Sequence, residues 1–183
     1  MVHFDVQVHT LNDVSMFLGL LSCLGLMMVA CFQWTEVLMP HIVGAMMVFV
    51  LGSIYCWFQS YLSYICIGIT TSKCLTALRT VLSFLAVAGL ATTIVCGHLA
   101  QAQLKAAGLN NGTAHKLHWN STEPGYKEHL GSTFSEWIMC FAFLFFFATY
   151  YTEFKTLDTN VHVSCKVPEQ QSIVTANQQA VHA

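Results

Sequence analysis

Four apolar runs constrain this chain more than any other feature: residues 14–32, 41–64, 78–104 and 134–151. A helix needs roughly 20 apolar residues to cross the hydrocarbon core of a bilayer, and each run has about that length. The third is expected to cross over only part of its extent, ending near Ala100. Lipid offers no partners for backbone N–H and C=O groups, so apolar runs of this length must satisfy them internally as helices. Only 9% of the residues are charged, against about 25% in a soluble domain. The reading is therefore an all-α, polytopic membrane helix bundle with four transmembrane helices, and the lipid bilayer is its first partner.

A cleaved signal peptide competes for the first run, but such a peptide opens on a basic segment. Residues 1–13 contain no Lys or Arg and carry Asp5 and Asp13. We expect a cytosolic N-terminal segment at 1–13, a transmembrane helical domain at 14–154 with a luminal loop at 105–133, and a tail at 155–183. The tail is polar and Gln-rich, a composition that favours disorder.

Orientation rests on two signals of unequal weight. Lys73, Arg79, Lys155 and Lys166 flank one side and Lys105, Lys116 and Lys127 the other, too even a division for positive-inside reasoning. The stronger signal is a pair of glycosylation sequons, "NGT" at Asn111 and "NST" at Asn120, both in the 105–133 loop. Such sites are accepted only on the luminal or extracellular side. With four spans, both termini then face the cytosol.

The same loop contains no cysteine, unlike the cysteine-paired loops of tetraspanins and claudins. Cys23, Cys31, Cys56, Cys96 and Cys140 fall in apolar runs, where cysteine behaves as a small hydrophobe. Cys31 and Cys96 approach the luminal side, and a disulfide between them is conceivable. Cys66, Cys74 and Cys165 lie at the cytosolic boundary, as palmitoylation sites or as unmodified interfacial residues. No pair has structural-zinc spacing.

Small residues recur at helical intervals within the runs. Ser15, Gly19 and Cys23 are four apart, Gly89, Thr93 and Gly97 likewise, and Gly44 and Gly52 are eight apart. Such faces allow close backbone approach and predict the packing seams of the bundle. Ionisable groups are absent from the middles of the runs, where each costs about 2.5–3.5 kcal/mol on insertion scales, which argues against transporters, proton pumps and, with no filter-like lining, a pore. Polar residues gather at the run ends instead. His41, His98 and Glu136 all fall on the luminal side and form a candidate cluster that would titrate in an acidic compartment. The plainer alternative for "SEW" is a helix start, with Ser135 as cap, Glu136 on the positive end of the dipole and Trp137 in the aromatic belt.

Catalytic signals are weak. His115 and His118 in "HKLH" lack the helical placement and third ligand of a zinc hydrolase. No nucleophile elbow, P-loop or dinucleotide fingerprint is present. An enzyme is not expected, nor a cofactor, a metal or a nucleic-acid partner.

Three longer phrases carry a resemblance. "LSCLGLMMVACFQ", "GAMMVFVLGSIYCWFQSYLSY" and "KLHWNSTEPGYKEHLGSTFSEWIMCFAFLFFFATYYTEFK" resemble the damage-regulated autophagy modulator (DRAM) family, within a wider group of transmembrane protein 150, Frag and Sfk relatives. The matched positions are Phe32-Gln33, Gly44-Ala45, Gly52, Tyr55, Gln59, Ser63-Tyr64, Trp119-Asn120, Gly125-Tyr126 and Glu136-Trp137. The resemblance covers residues 11–158 and implies a multi-pass protein of endosomal or lysosomal membranes that promotes autophagy through partner contacts. It also implies a six-helix pattern, of which this chain is expected to lack the first two, and homo- or hetero-oligomers with full-length family members as candidate assemblies. The Sfk-like branch implies an alternative, a plasma-membrane organiser affecting phosphoinositide kinase recruitment or mechanosensitive currents. "YTEF", Tyr151–Phe154, fits a tyrosine-based endosomal signal but abuts the last helix, a position expected to be too close to the membrane for an adaptor to reach.

Overall fold

The structure is a computed structural model that describes residues 2–34, 36–69, 71–109 and 119–156. Asn111, His115, His118, Cys165 and the tail after Thr156 lie outside the described residues. The elements in chain order are α1 (Val2–Cys31), α2 (Leu38–Met46), a π-helical turn (Met47–Leu51), α3 (Gly52–Ile65), α4 (Lys73–Ala106), α5 (Tyr126–Ala148) and α6 (Tyr151–Phe154). Among the described residues there is no strand, and the one isolated bridge joins Ile67 to Thr71. Four segments are long and apolar enough to cross a membrane: Val6–Cys31, Leu38–Ile65, Lys73–Ala106 and Tyr126–Phe154. They are the first to fourth spans below.

Three helix starts differ by several residues from those expected from hydropathy. The first helix begins at Val2 rather than at position 14. Residues 2–13 contain no Gly or Pro, and once a helix is nucleated each added residue costs little, so polar residues do not stop it. The third span begins at Lys73 because Ser72 caps it, its hydroxyl accepting the Leu75 N–H at 3.2 Å, as N-cap serines do.

The fourth span begins at Tyr126, which shortens the loop expected at 105–133. Gly125 sets that start. Its φ of +85° is left-handed, and a Cβ there would lie 2.6 Å from the Ala100 carbonyl oxygen and 3.0 Å from the Ala100 Cα. Ser135 and Glu136 therefore lie inside α5 and not at its start. Ser135 donates back to the Gly131 carbonyl at 2.8 Å, and the acidic residue in the first turn is Glu128. Gly125→Ala combines a non-glycine left-handed residue, about 1–3 kcal/mol, with a backbone clash. In thermal unfolding of the detergent-solubilised chain it is expected to lower Tm by several degrees, at about 2–4 °C per kcal/mol for a chain of this size.

The first span packs mainly on the second, the second on the first and third, and the third most extensively on the fourth. The fourth also reaches the second through aromatic contacts, Phe49 with Phe143 at 6.5 Å and Tyr55 with Phe146 at 6.4 Å between ring centroids. A buried cluster of Cys56, Leu82, Ala142 and Phe146 ties the last three spans together.

Small residues make the close approaches. Gly25 and Gly44 cross face to face: a Cβ on Gly44 would lie 2.8 Å from the Gly25 carbonyl oxygen and 2.9 Å from the Met28 Cβ. Ser15 is fully buried, and Gly19 sits under the Tyr55 ring, 3.1 Å from where its Cβ would be. Cys23 is exposed, so the row expected through Ser15 and Gly19 does not continue to it. Four-residue steps advance about 400° on a helix of 3.6 residues per turn and spiral off the contact line. Gly25 takes the place that Cys23 does not.

Gly44 and Gly52 both face the first span, Gly44 toward Gly25 and Gly52 toward the Ser22 hydroxyl. Eight residues of ideal α-helix would put them about 80° out of register. The intervening π-turn, Met47–Leu51, holds an extra residue, and one inserted residue absorbs about that rotation. In the third span Gly89 faces Met139 and the Ser135 carbonyl, while a Cβ on Gly97 would rest in ordinary contact with the Ser132 hydroxyl at 3.4 Å.

Candidate functional site

The densest polar structure lies at the bundle end that carries the 66–72 loop and α6. Arg79, nearly two turns into α4, is 1% exposed. Its Nε donates to Thr149 Oγ1 at 2.8 Å and its Nη1 to Ser63 Oγ at 2.7 Å. Its Nη2 reaches the Thr149 carbonyl at 3.4 Å and Glu153 Oε2 at 3.1 Å. The guanidinium carbon lies 3.7 Å from the centroid of the Tyr150 ring, a cation–π contact worth about 2 kcal/mol or more when desolvated.

Each partner is itself held. Glu153, 22% exposed on its side chain, accepts from Thr71 Oγ1 at 2.8 Å. Ser63 donates to the Gln59 carbonyl at 2.8 Å, and Thr149 to the Phe146 carbonyl at 2.6 Å. The Tyr150 hydroxyl donates to Gln59 Oε1 at 3.0 Å, and Gln59 Nε2 donates to Ser15 Oγ at 2.7 Å. Ser60 and Ser83 share a hydrogen bond of 2.9 Å one turn deeper. One connected network thus joins Ser15 of the first span, Gln59 and Ser63 of the second, Arg79 of the third, and Thr149, Tyr150 and Glu153 of the fourth.

This arrangement is a cross-link. The guanidinium fork is engaged by hydroxyls, a carbonyl and a carboxylate, and stacked on one face. Arginine suits the position because its charge is permanent and its planar donors meet several acceptors at once. A buried charge is tolerated only when paired and hydrogen-bonded, and here it is both. Among the described residues no three His, Cys, Asp or Glu side chains converge as a metal site.

The residues expected to form a cluster at the opposite end are not joined. His41 Nδ1 lies 2.8 Å from the Phe32 carbonyl, and its ring meets Trp34 edge-on at 5.7 Å. His98 and Glu136 are exposed, and the one ion pair among the described residues is Arg79–Glu153. Among the described residues no hydrogen bond or ion pair links His41, His98 and Glu136. A separate pair stands nearby, Trp119 stacked on His129 with centroids 4.5 Å apart and planes 9° from parallel. Asn120 is exposed in the turn that leads into α5, its carbonyl accepting the Glu123 N–H at 3.0 Å. Cys66 is half-buried and Cys74 exposed at the Arg79 end. Cys31 and Cys96 are both free thiols.

Hydropathy reading counts Arg79 as a loop-flanking charge and gives Gln59 no role, although Gln59 and Ser63 are among the positions that carry the family resemblance. Arg79 already lies in the third run at 78–104, and the Ser72 cap, which starts the helix at Lys73, sets it nearly two turns from the helix start. An acid at the far end of the last span, Glu153, completes the pair.

Four membrane-length helices crossed by small-residue seams and one buried polar network define a multi-pass membrane helix bundle. The Frag1/DRAM/Sfk1/Cwh43P N-terminal domain matches residues 2–157, and the chain belongs to this family. It is 34% identical over 84% of its length to DNA damage-regulated autophagy modulator protein 2 of Mus musculus, covering 56% of that protein. It is 33% identical over 82% of its length to DNA damage-regulated autophagy modulator protein 1 of Homo sapiens, covering 58% of that protein. A shorter stretch, 33% of the chain, is 46% identical to the modulator of macroautophagy TMEM150B of Xenopus tropicalis, covering 26% of it. The chain thus spans a little over half the length of the first two relatives. No solved structure matches it.

Proposed function

We propose that this chain is a non-enzymatic protein of endosomal or lysosomal membranes that promotes autophagy through contacts with partner proteins. The observation that carries the reading is the similarity across 84% of the chain to a protein named as an autophagy modulator. The closed character of the Arg79 network supports the non-enzymatic part: its polar groups are spent on one another across four helices. In this reading both termini and the Arg79 end face the cytosol, Asn111 and Asn120 carry glycans, and Cys66, Cys74 and Cys165 are the acylation candidates. The partners are membrane proteins, including further copies or longer family members.

The test is expression of the full chain with a C-terminal tag, scored against lysosomal and cell-surface markers, with glycan removal on the same sample. Turnover of a reporter degraded in lysosomes is followed in parallel. Lysosomal residence, a glycosidase-sensitive mobility shift and faster reporter turnover are expected. Unchanged turnover in cells where the chain reaches lysosomes would overturn the autophagy assignment. Surface residence would overturn the lysosomal assignment and favour a plasma-membrane organiser.

A further inference from the structure

The segment Tyr151–Phe154 has the Tyr-x-x-bulky-apolar spacing of a sorting signal, yet its conformation here is wrong for one. Sorting adaptors that read such peptides hold them extended along a strand edge, main chain to main chain, with side chains in pockets. In a strand, positions i and i+3 point to opposite faces about 10 Å apart. In α6 the same two residues are neighbours on one helical face. Tyr151 and Phe154 are each 68% exposed on the bundle, at the very end of the fourth span. The chain itself does not pack their side chains away, and what differs from the bound form of such a signal is the backbone geometry.

That geometry is held from two directions. Along the chain, the Phe154 N–H donates to the Tyr150 carbonyl at 3.0 Å and the Lys155 N–H to the Tyr151 carbonyl at 3.1 Å. Across the bundle, Glu153 inside the segment gives one carboxylate oxygen to Arg79 at 3.1 Å and the other to Thr71 at 2.8 Å. Tyr150, immediately before, is stacked on Arg79 and bonded to Gln59. Extending the segment requires Glu153 to leave both partners.

We propose that the Arg79–Glu153–Thr71 contact is an autoinhibitory clasp that holds Tyr151–Phe154 in a helix unreadable by a cytosolic sorting adaptor, and that opening it turns the segment into an extended adaptor ligand. The inference rests on the reading that this end faces the cytosol. Its partner is an adaptor subunit with a tyrosine pocket and an apolar pocket beside an open strand edge. Glu153 occupies a spacer position between the two read residues, so its contacts can change without altering the signal itself.

The experiment measures binding of a recombinant adaptor subunit of that type to four probes: a synthetic peptide of residues 148–159, the purified full chain in lipid nanodiscs, its Glu153→Ala variant and the Glu153→Ala/Tyr151→Ala double variant. The peptide is expected to bind, and the wild-type chain to bind at least about tenfold more weakly, since apparent affinity falls with the fraction of unclasped chain. Glu153→Ala should approach the peptide, and adding Tyr151→Ala should abolish the gain. Wild-type binding equal to the peptide's, or a peptide that does not bind, overturns the proposal. The wild-type and peptide comparison needs no variant, and Thr71→Val, which removes one hydrogen bond outside the signal, gives a smaller gain if Glu153→Ala fails to fold. Antibody access to the C-terminal tag in cells permeabilised only at the plasma membrane reports orientation separately. A luminal tag overturns the topology and the clasp together, whereas a cytosolic tag with tight wild-type binding overturns the clasp alone.

Discussion

Replacing Arg79 by alanine is expected to lower the unfolding temperature of the detergent-solubilised chain by roughly 10 °C. The substitution removes the hub of a network that reaches all four spans, and leaves Thr149, Ser63 and Glu153 without their shared donor. Removing one partner of a buried ion pair costs about 3–5 kcal/mol, and the low end of that range applies here because Glu153, 22% exposed on its side chain, keeps part of its hydration and its bond from Thr71. At about 2–4 °C per kcal/mol for a chain of this size, the loss is large. Arg79→Lys keeps the charge but replaces a planar fork with a point donor; it cannot serve Thr149, Ser63 and Glu153 together, and an intermediate loss is expected. Lys73, exposed at the start of the same helix, supplies the control: Lys73→Ala should stay within about 0.5 kcal/mol, as surface substitutions do. Equal unfolding temperatures for Arg79→Ala and Lys73→Ala would show that the network contributes nothing.

The second large effect belongs to the helix crossing at Gly44. A single methyl group there would meet the Gly25 carbonyl oxygen at 2.8 Å and the Met28 Cβ at 2.9 Å. Backbone cannot rotate away as a side chain can, so the two helices must separate. Overpacking costs about 1–3 kcal/mol and occasionally more, and here it also loosens the seam on which the first span depends. Gly97→Ala is the matched comparison, since its Cβ would rest 3.4 Å from the Ser132 hydroxyl, an ordinary contact. Cysteine cross-linking between the first and second spans should fall sharply in Gly44→Ala and stay unchanged in Gly97→Ala. Identical cross-linking in the two variants would mean that the Gly25–Gly44 crossing is not a close contact.

How much of this was legible in the sequence depended on the length scale of the signal. The four spans were readable because hydropathy summed over twenty residues is strong and lipid permits only helices. Their ends were not, because single residues decide them: Ser72 by its hydroxyl, Gly125 by its left-handed backbone against Ala100. Gly89 and Gly97 lie in the third-span seam read from spacing, but the seam on the first span runs through Gly25 in place of Cys23. Gly44 and Gly52 share a face only because a π-turn separates them, and no periodicity announces a π-turn.

The candidate site shows the same division more sharply. Arg79, Gln59 and Glu153 are separated by 20 and 74 residues in the chain, and nothing local links a charge near one helix start to a carboxylate at another helix end. By itself, the sequence determined that this chain is a membrane-spanning helical bundle, because apolar runs of this length must satisfy their backbone hydrogen bonds internally; its likeness to the DRAM family rested on the quoted motifs, not on hydropathy. Only the tertiary structure decided which polar groups meet. A buried arginine is acceptable only where several partners converge on it, and that convergence comes from the packing of four helices.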